Sequence, residues 1–162
     1  MKSLFIACAF LFPAFNINRS CDDIPDLNKQ LIGFVKTTIN TRVGRGECWD
    51  LAAEALNHCN ARWDKKFAFG KLVDPKKECV YAGDIMQFEG VTVRYEKNGY
   101  FYEDIMDRHT AIIYAIKDDG EYVMAEQNTS QAGRKVALHP LNLKNVIQGR
   151  YRIYRPVGSV ND

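Results

Sequence analysis

Apolar residues change their spacing near Gly83, from the three-to-four repeat of helices to the alternation of strands. Ahead of that point, Leu27, Leu31, Phe34, Val35 and Thr38 fall on one stripe of a helix expected over about 25–39, with Asp22 and Asp23 available as caps. After the turn Gly44-Arg45-Gly46, a second helix is expected over about 47–59, burying Leu51, Ala52, Ala55 and Leu56. A loop-rich section with Phe67-Ala68-Phe69-Gly70 and Pro75 follows. Period-two runs then predict strands at 84–88, 91–96, 100–105, 109–116, 121–127, 135–138 and 151–154. Asn98-Gly99 and Asp118-Asp119-Gly120 supply tight hairpin turns between them. Helices followed by antiparallel strands make an α+β domain, its helices packed on one face of a curled sheet.

The N-terminus changes that picture. Lys2 precedes an apolar run from Leu4 to Phe15, too short to cross a bilayer and suited to an export signal. Residues 1–20 are therefore expected to be a signal peptide and 21–162 a single domain, secreted or periplasmic, with no stable membrane insertion after cleavage. A 26% charged, 46% hydrophobic chain is globular rather than disordered, and a net charge of +2 is too mild for nucleic-acid binding. Cys8 leaves with the signal, so Cys21, Cys48, Cys59 and Cys79 remain. Cys48 and Cys59 lie about 16 Å apart on a continuous helix, beyond disulfide reach. Cys79 can bridge to either Cys59 or Cys21.

Cys48 stands between a glycine turn and the start of a helix, where unpaired N–H groups favour a thiolate. His109 is expected to open an apolar strand and is the one histidine with an approach to that thiol. His58 falls on the same helix about 15 Å away, and His139, before Pro140, reads as surface. Alternation puts Glu126 and Asn128 on one side of the next strand and Gln127 on the other, so either of the first two can hold the imidazole. No paired Cys-x-x-Cys or His-x-x-x-His spacing supports a zinc site, and neither metal nor cofactor is expected. Tyr95, Tyr100, Phe101 and Tyr102 read as cross-strand packing ahead of a substrate groove.

The order Glu47-Cys48-Trp49, Gly83-Asp84-Ile85-Met86-Gln87-Phe88, His109-Thr110-Ala111-Ile112-Ile113-Tyr114 and Glu126-Gln127-Asn128 resembles the CHAP family. These are cysteine- and histidine-dependent amidohydrolases and peptidases of the papain-like group that includes NlpC-type wall hydrolases. The resemblance spans 44–156. It implies a papain-like α+β fold with Cys48 as nucleophile, His109 as base, and Glu126 and Asn128 as polar partners. Two departures stand out: Glu47 replaces the usual residue before the cysteine, and a long hairpin separates the Gln-Phe element from His109. A pattern similar to Gly44-x-Gly46-Glu47-Cys48-Trp49 occurs in a divergent branch of the cysteine-protease fold, found in bacteria and in fungal actin-patch proteins.

The expected activity is thiol hydrolysis of amide bonds in a cell-wall peptide or a protein. The backbone N–H of Cys48 is a natural half of an oxyanion hole, with Arg45 or Asn40 as candidates for the other half. A catalytically silent binding module and a secreted effector protease are the competing expectations.

Overall fold

The computed structural model describes residues 21 and 23–159, so the expected signal peptide lies outside the described residues. Helix α1 is Asp26–Thr38. Pro25, rather than Asp22 or Asp23, occupies its N-cap position, and no side chain caps it. Its buried side is Asn28, Leu31, Val35 and Thr38, with Leu27 and Phe34 packed at the margin. Helix α2 is Cys48–His58 and buries Leu51, Ala52, Ala53, Ala55 and Leu56, besides Asp50 in its first turn.

The strands are longer and fewer than alternation predicts. The segments expected at 84–88 and 91–96 are one strand, β3 (Ile85–Lys97), once β1 (Ala61–Arg62) and β2 (Lys71–Val73) are counted ahead of it. Those expected at 100–105 and 109–116 are likewise one strand, β4 (Tyr100–Asp118). His109 therefore sits mid-strand rather than at a strand start. Gly90, at φ +58, explains the apparent break. The buried side steps from Met86 and Phe88 to Val91 and Val93 across it, and pairing with the neighbouring strand shifts register there.

The remaining strands are β5 (Glu121–Glu126), β6 (Ala137–Asn142), β7 (Val146–Arg155) and β8 (Val157–Gly158). Six of them form an antiparallel sheet in the order β2-β7-β3-β4-β5-β6, while β1 and β8 pair separately. One face carries Ile85, Ile112 and Ala125 against the helices. The opposite face gathers Met86, Phe88, Ala111, Ile113, Met124 and Ile153 into a second core.

The Gly83–Phe88 segment locks α1 to the sheet. Buried Asp84 accepts from both nitrogens of the Arg155 fork, at 3.1 and 2.7 Å, and from Asn28 Nδ2 at 2.8 Å. A side chain on Gly83 would meet the Asn28 carbonyl at 2.7 Å, so helix and strand approach too closely for anything larger. Cys21 and Cys79 form a disulfide with alpha carbons 5.7 Å apart, which resolves the two pairings open to Cys79. Cys59 is a buried free thiol. Tyr95 and Tyr102 face each other across the long hairpin with rings 5.7 Å apart, in agreement with cross-strand packing, while Tyr100 and Phe101 stay 69% and 73% exposed at its tip. Among the described residues no helix is long and apolar enough to cross a membrane.

Candidate active site

The glycine turn and its hydrogen bonds put Cys48 at the first residue of α2. Gly44 and Gly46 have φ of +56° and +90°, and a side chain on Gly46 would run into Arg134 at 2.8 Å. Asp50 closes the turn from below, accepting from the backbone of Arg45 at 2.8 Å and of Glu47 at 3.2 Å. Gln127 closes it from the sheet. Its side chain accepts from Val43 N–H at 3.2 Å and donates to the carbonyls of Val43 at 3.0 Å and Glu47 at 2.7 Å. Gln127 lies on the side away from Glu126, as strand alternation expects, and its bracing of the turn is a role that alternation does not indicate. The full burial of an amide that follows the Glu126 strand end is the signal, and it is visible only in three dimensions.

Strand register assembles the other groups. Ile112 pairs with Ala125 and Ile113 with Met124, so His109 and Glu126 share the face of Ala111, Ile113 and Met124. Met124 pairs with His139 and Glu126 with Ala137, which brings His139 to that same face. Glu126 Oε2 lies 2.6 Å from His109 Nε2, and Glu126 Oε1 lies 2.7 Å from His139 Nδ1. Expected at the surface in a connecting stretch, His139 is instead a part-buried strand residue bonded to the central carboxylate. Asn128 goes elsewhere: past the end of β5, at φ +61, it donates to Glu47 Oε2 at 2.8 Å rather than to the imidazole. His58 packs against Phe34 on the helix side, their rings 5.0 Å apart and tilted by 36°.

The Cys48 thiol hydrogen-bonds the His109 ring. Nε2 is held by Glu126 at 2.6 Å, which leaves Nδ1 as the ring nitrogen that this carboxylate does not engage. Pairing of β4 with β5 runs no further than Ile112, and the freed edge of β4 lets Thr110 N–H reach the sulfur alongside Trp49 N–H. Burial pushes the Cys48 thiol up, but the ring and those two N–H groups outweigh it and hold it below its ordinary value. Burial also works against charge on His109, yet its bonds to Cys48 and Glu126 prevail and raise it from 6.5 to about 9. For Glu126, burial is overcome by the two imidazoles, and its pKa falls from 4.5 to about 2. The set favours a thiolate beside an imidazolium, itself backed by a carboxylate.

The rim is aromatic and cationic. Trp49, next to the thiol, donates its Nε1–H to the Lys66 carbonyl. Arg108, next to His109, lies 4.8 Å above the Phe67 ring. The 64–68 loop is thus tied to the immediate neighbours of both Cys48 and His109. Arg45, a candidate oxyanion donor, has its guanidinium on Asp50 at 2.9 Å. Asn40, the other candidate, has its backbone N–H on the Val136 carbonyl. Among the described residues no group of three metal-ligating side chains forms.

A model of the AIM3/BBC1 cysteine proteinase-fold domain matches residues 26–161. The chain belongs to this family. Among solved structures, the AIM3/BBC1-type domain is similar to Ly7917 crystallised with the hydrolyzing product of MDP, at 16% identity and a TM-score of 0.51. That match covers 80% of this chain and 62% of the other, so the domain spans under two thirds of Ly7917. A second Ly7917 crystal structure matches at 15% identity, TM-score 0.45, over 78% and 62% of the two chains. No curated protein sequence matches. At such identity the likeness concerns the fold: a cysteine-proteinase-type α+β architecture.

Proposed function

We propose that this domain is an exported cysteine amidase or endopeptidase of the CHAP or NlpC type, acting on peptidoglycan peptides. The observation that carries the reading is the unbroken chain Cys48–His109–Glu126 at a helix start, with the thiol depressed and the imidazole raised. His109 Nδ1 takes the proton from Cys48, and the sulfur attacks the carbonyl carbon of an amide. The carbonyl oxygen becomes an oxyanion facing the backbone N–H of Cys48 at the head of α2. His109 returns the proton to the departing amine, the C–N bond breaks, and water activated by the same ring hydrolyses the thioester. Glu126 keeps Nε2 protonated throughout, which leaves Nδ1 free to cycle. The Cys21–Cys79 bridge supports export, because such bridges persist in oxidising compartments. The match to a protein crystallised with the product of MDP, a peptidoglycan fragment, supports the choice of wall peptides over other amides.

Alkylation of Cys48 followed against pH, in wild type and His109→Ala, tests the dyad. The wild-type midpoint should lie below the reference thiol value of about 8.5 and rise toward it without the imidazole. Zymography on purified wall, beside Cys48→Ala, tests the substrate. A reactive thiol with no clearing would move the reading to a protein substrate. Coincident alkylation curves would end it.

A further inference from the structure

We infer that His139 is a positioning residue, which fixes the Glu126 carboxylate so that Glu126 can in turn hold His109 toward Cys48. This deepens the reading above and rests on it. The terminal torsion of a glutamate is broad, so one hydrogen bond leaves the carboxylate free to rock about its axis. Glu126 has two: Oε2 on His109 Nε2 at 2.6 Å and Oε1 on His139 Nδ1 at 2.7 Å. The two imidazoles come from the strands flanking β5 on either side, so they clamp the carboxylate from opposite edges. Its side chain is only 14% exposed, and water has little access to replace either donor.

Local backbone keeps His139 in place. A residue before proline is pushed toward extended geometry, and Pro140 lacks an N–H that an edge strand need not supply. β6 is that edge, with Val123 opposite Pro140 and Met124 opposite His139. Glu126 from β5 is hydrogen-bonded to the His139 ring, and the charges of Asp104 and His109 on β4 act on it from further off. β6 itself contributes none. Because Glu126 can only accept, His139 presents Nδ1–H to it.

Two variants separate position from bulk. Asn places its amide nitrogen where Nδ1 sits, whereas Gln extends it past that point, toward Nε2. His139→Asn should keep the wild-type alkylation midpoint of Cys48. His139→Gln should raise that midpoint and slow alkylation at pH 6 about tenfold, which corresponds to a rise of about one unit in the thiol's pKa. In a Glu126→Gln background neither change should alter the midpoint further, since His139 acts only through that carboxylate. Equal midpoints for wild type, Asn and Gln variants overturn the inference. So does a His139→Gln effect that persists undiminished without the carboxylate. If His109→Ala leaves the wild-type curve unmoved, the dyad itself has failed and this inference falls with it, a result distinct from the other two.

Discussion

The turn that carries Cys48 and the strands that carry His109 meet at one sulfur, yet different interactions hold them. On the turn, Gln127 makes three neutral hydrogen bonds to backbone, and Asp50 accepts from two backbone N–H groups. On the strands, each contact from Cys48 through His109 and Glu126 to His139 joins two groups that titrate. Cys48 is thus placed mainly by hydrogen bonds to backbone, with the Arg45–Asp50 ion pair beside them. His109 is placed by charges whose balance can be tuned. A site divided this way can change its pH response through its strands without disturbing where the sulfur sits.

Removing the charge on the strand arm should have the largest effect. Glu126→Gln is expected to slow Cys48 alkylation at pH 6 by about ten- to a hundredfold, as the thiol climbs back toward its reference value of about 8.5. The same pair governs stability against pH. Glu126, depressed from 4.5 to about 2, contributes stability that is full above 4.5 and lost as pH falls through 2. His109, raised from 6.5 to about 9, contributes stability that is full below 6.5 and lost as pH rises through 9. Denaturant midpoints should therefore peak between 4.5 and 6.5 in wild type, and that peak should flatten in Glu126→Gln. An unaltered peak would mean the strand arm is not held by charge.

An intermediate effect is expected on the turn. Gln127→Ala strips partners from the buried backbone of Val43 and the half-buried carbonyl of Glu47 and should cost about 2–3 kcal/mol in urea unfolding. The alkylation midpoint of the folded fraction should stay near wild type. A shift as large as that of Glu126→Gln would erase the distinction between the two arms.

Asn128→Ala should do least. Its amide sits on an exposed bond to Glu47, so at most about 1 kcal/mol of stability and no change in thiol midpoint are expected. A raised midpoint would show that Asn128 reaches the imidazole after all.

Much of this was legible in one dimension, for reasons that particular residues make plain. Both helices follow from apolar periodicity, and Cys48 from a glycine turn against a helix start. Glu126 follows from strand alternation, which separates it from Gln127 whatever the neighbouring strand does. His139 was lost because Pro140 reads as a strand breaker, a rule that lapses on an edge strand. The two hairpin strands were cut in half because Gly90 inverts the pattern of buried positions without ending the pairing. Asn128 keeps the alternation of β5 only on paper, since its positive φ turns the chain before its side chain can follow Glu126.

The sulfurs of the described chain carry a final consequence. Cys21 and Cys79 are already joined, and Cys59 lies buried at the far end of α2, about 16 Å along the helix from Cys48. An oxidant that reaches Cys48 would make a sulfenic acid with no resolving thiol nearby in the described fold. Recovery would then depend on a small thiol or reductase arriving from outside, and without one the damage would advance to the irreversible sulfinic state.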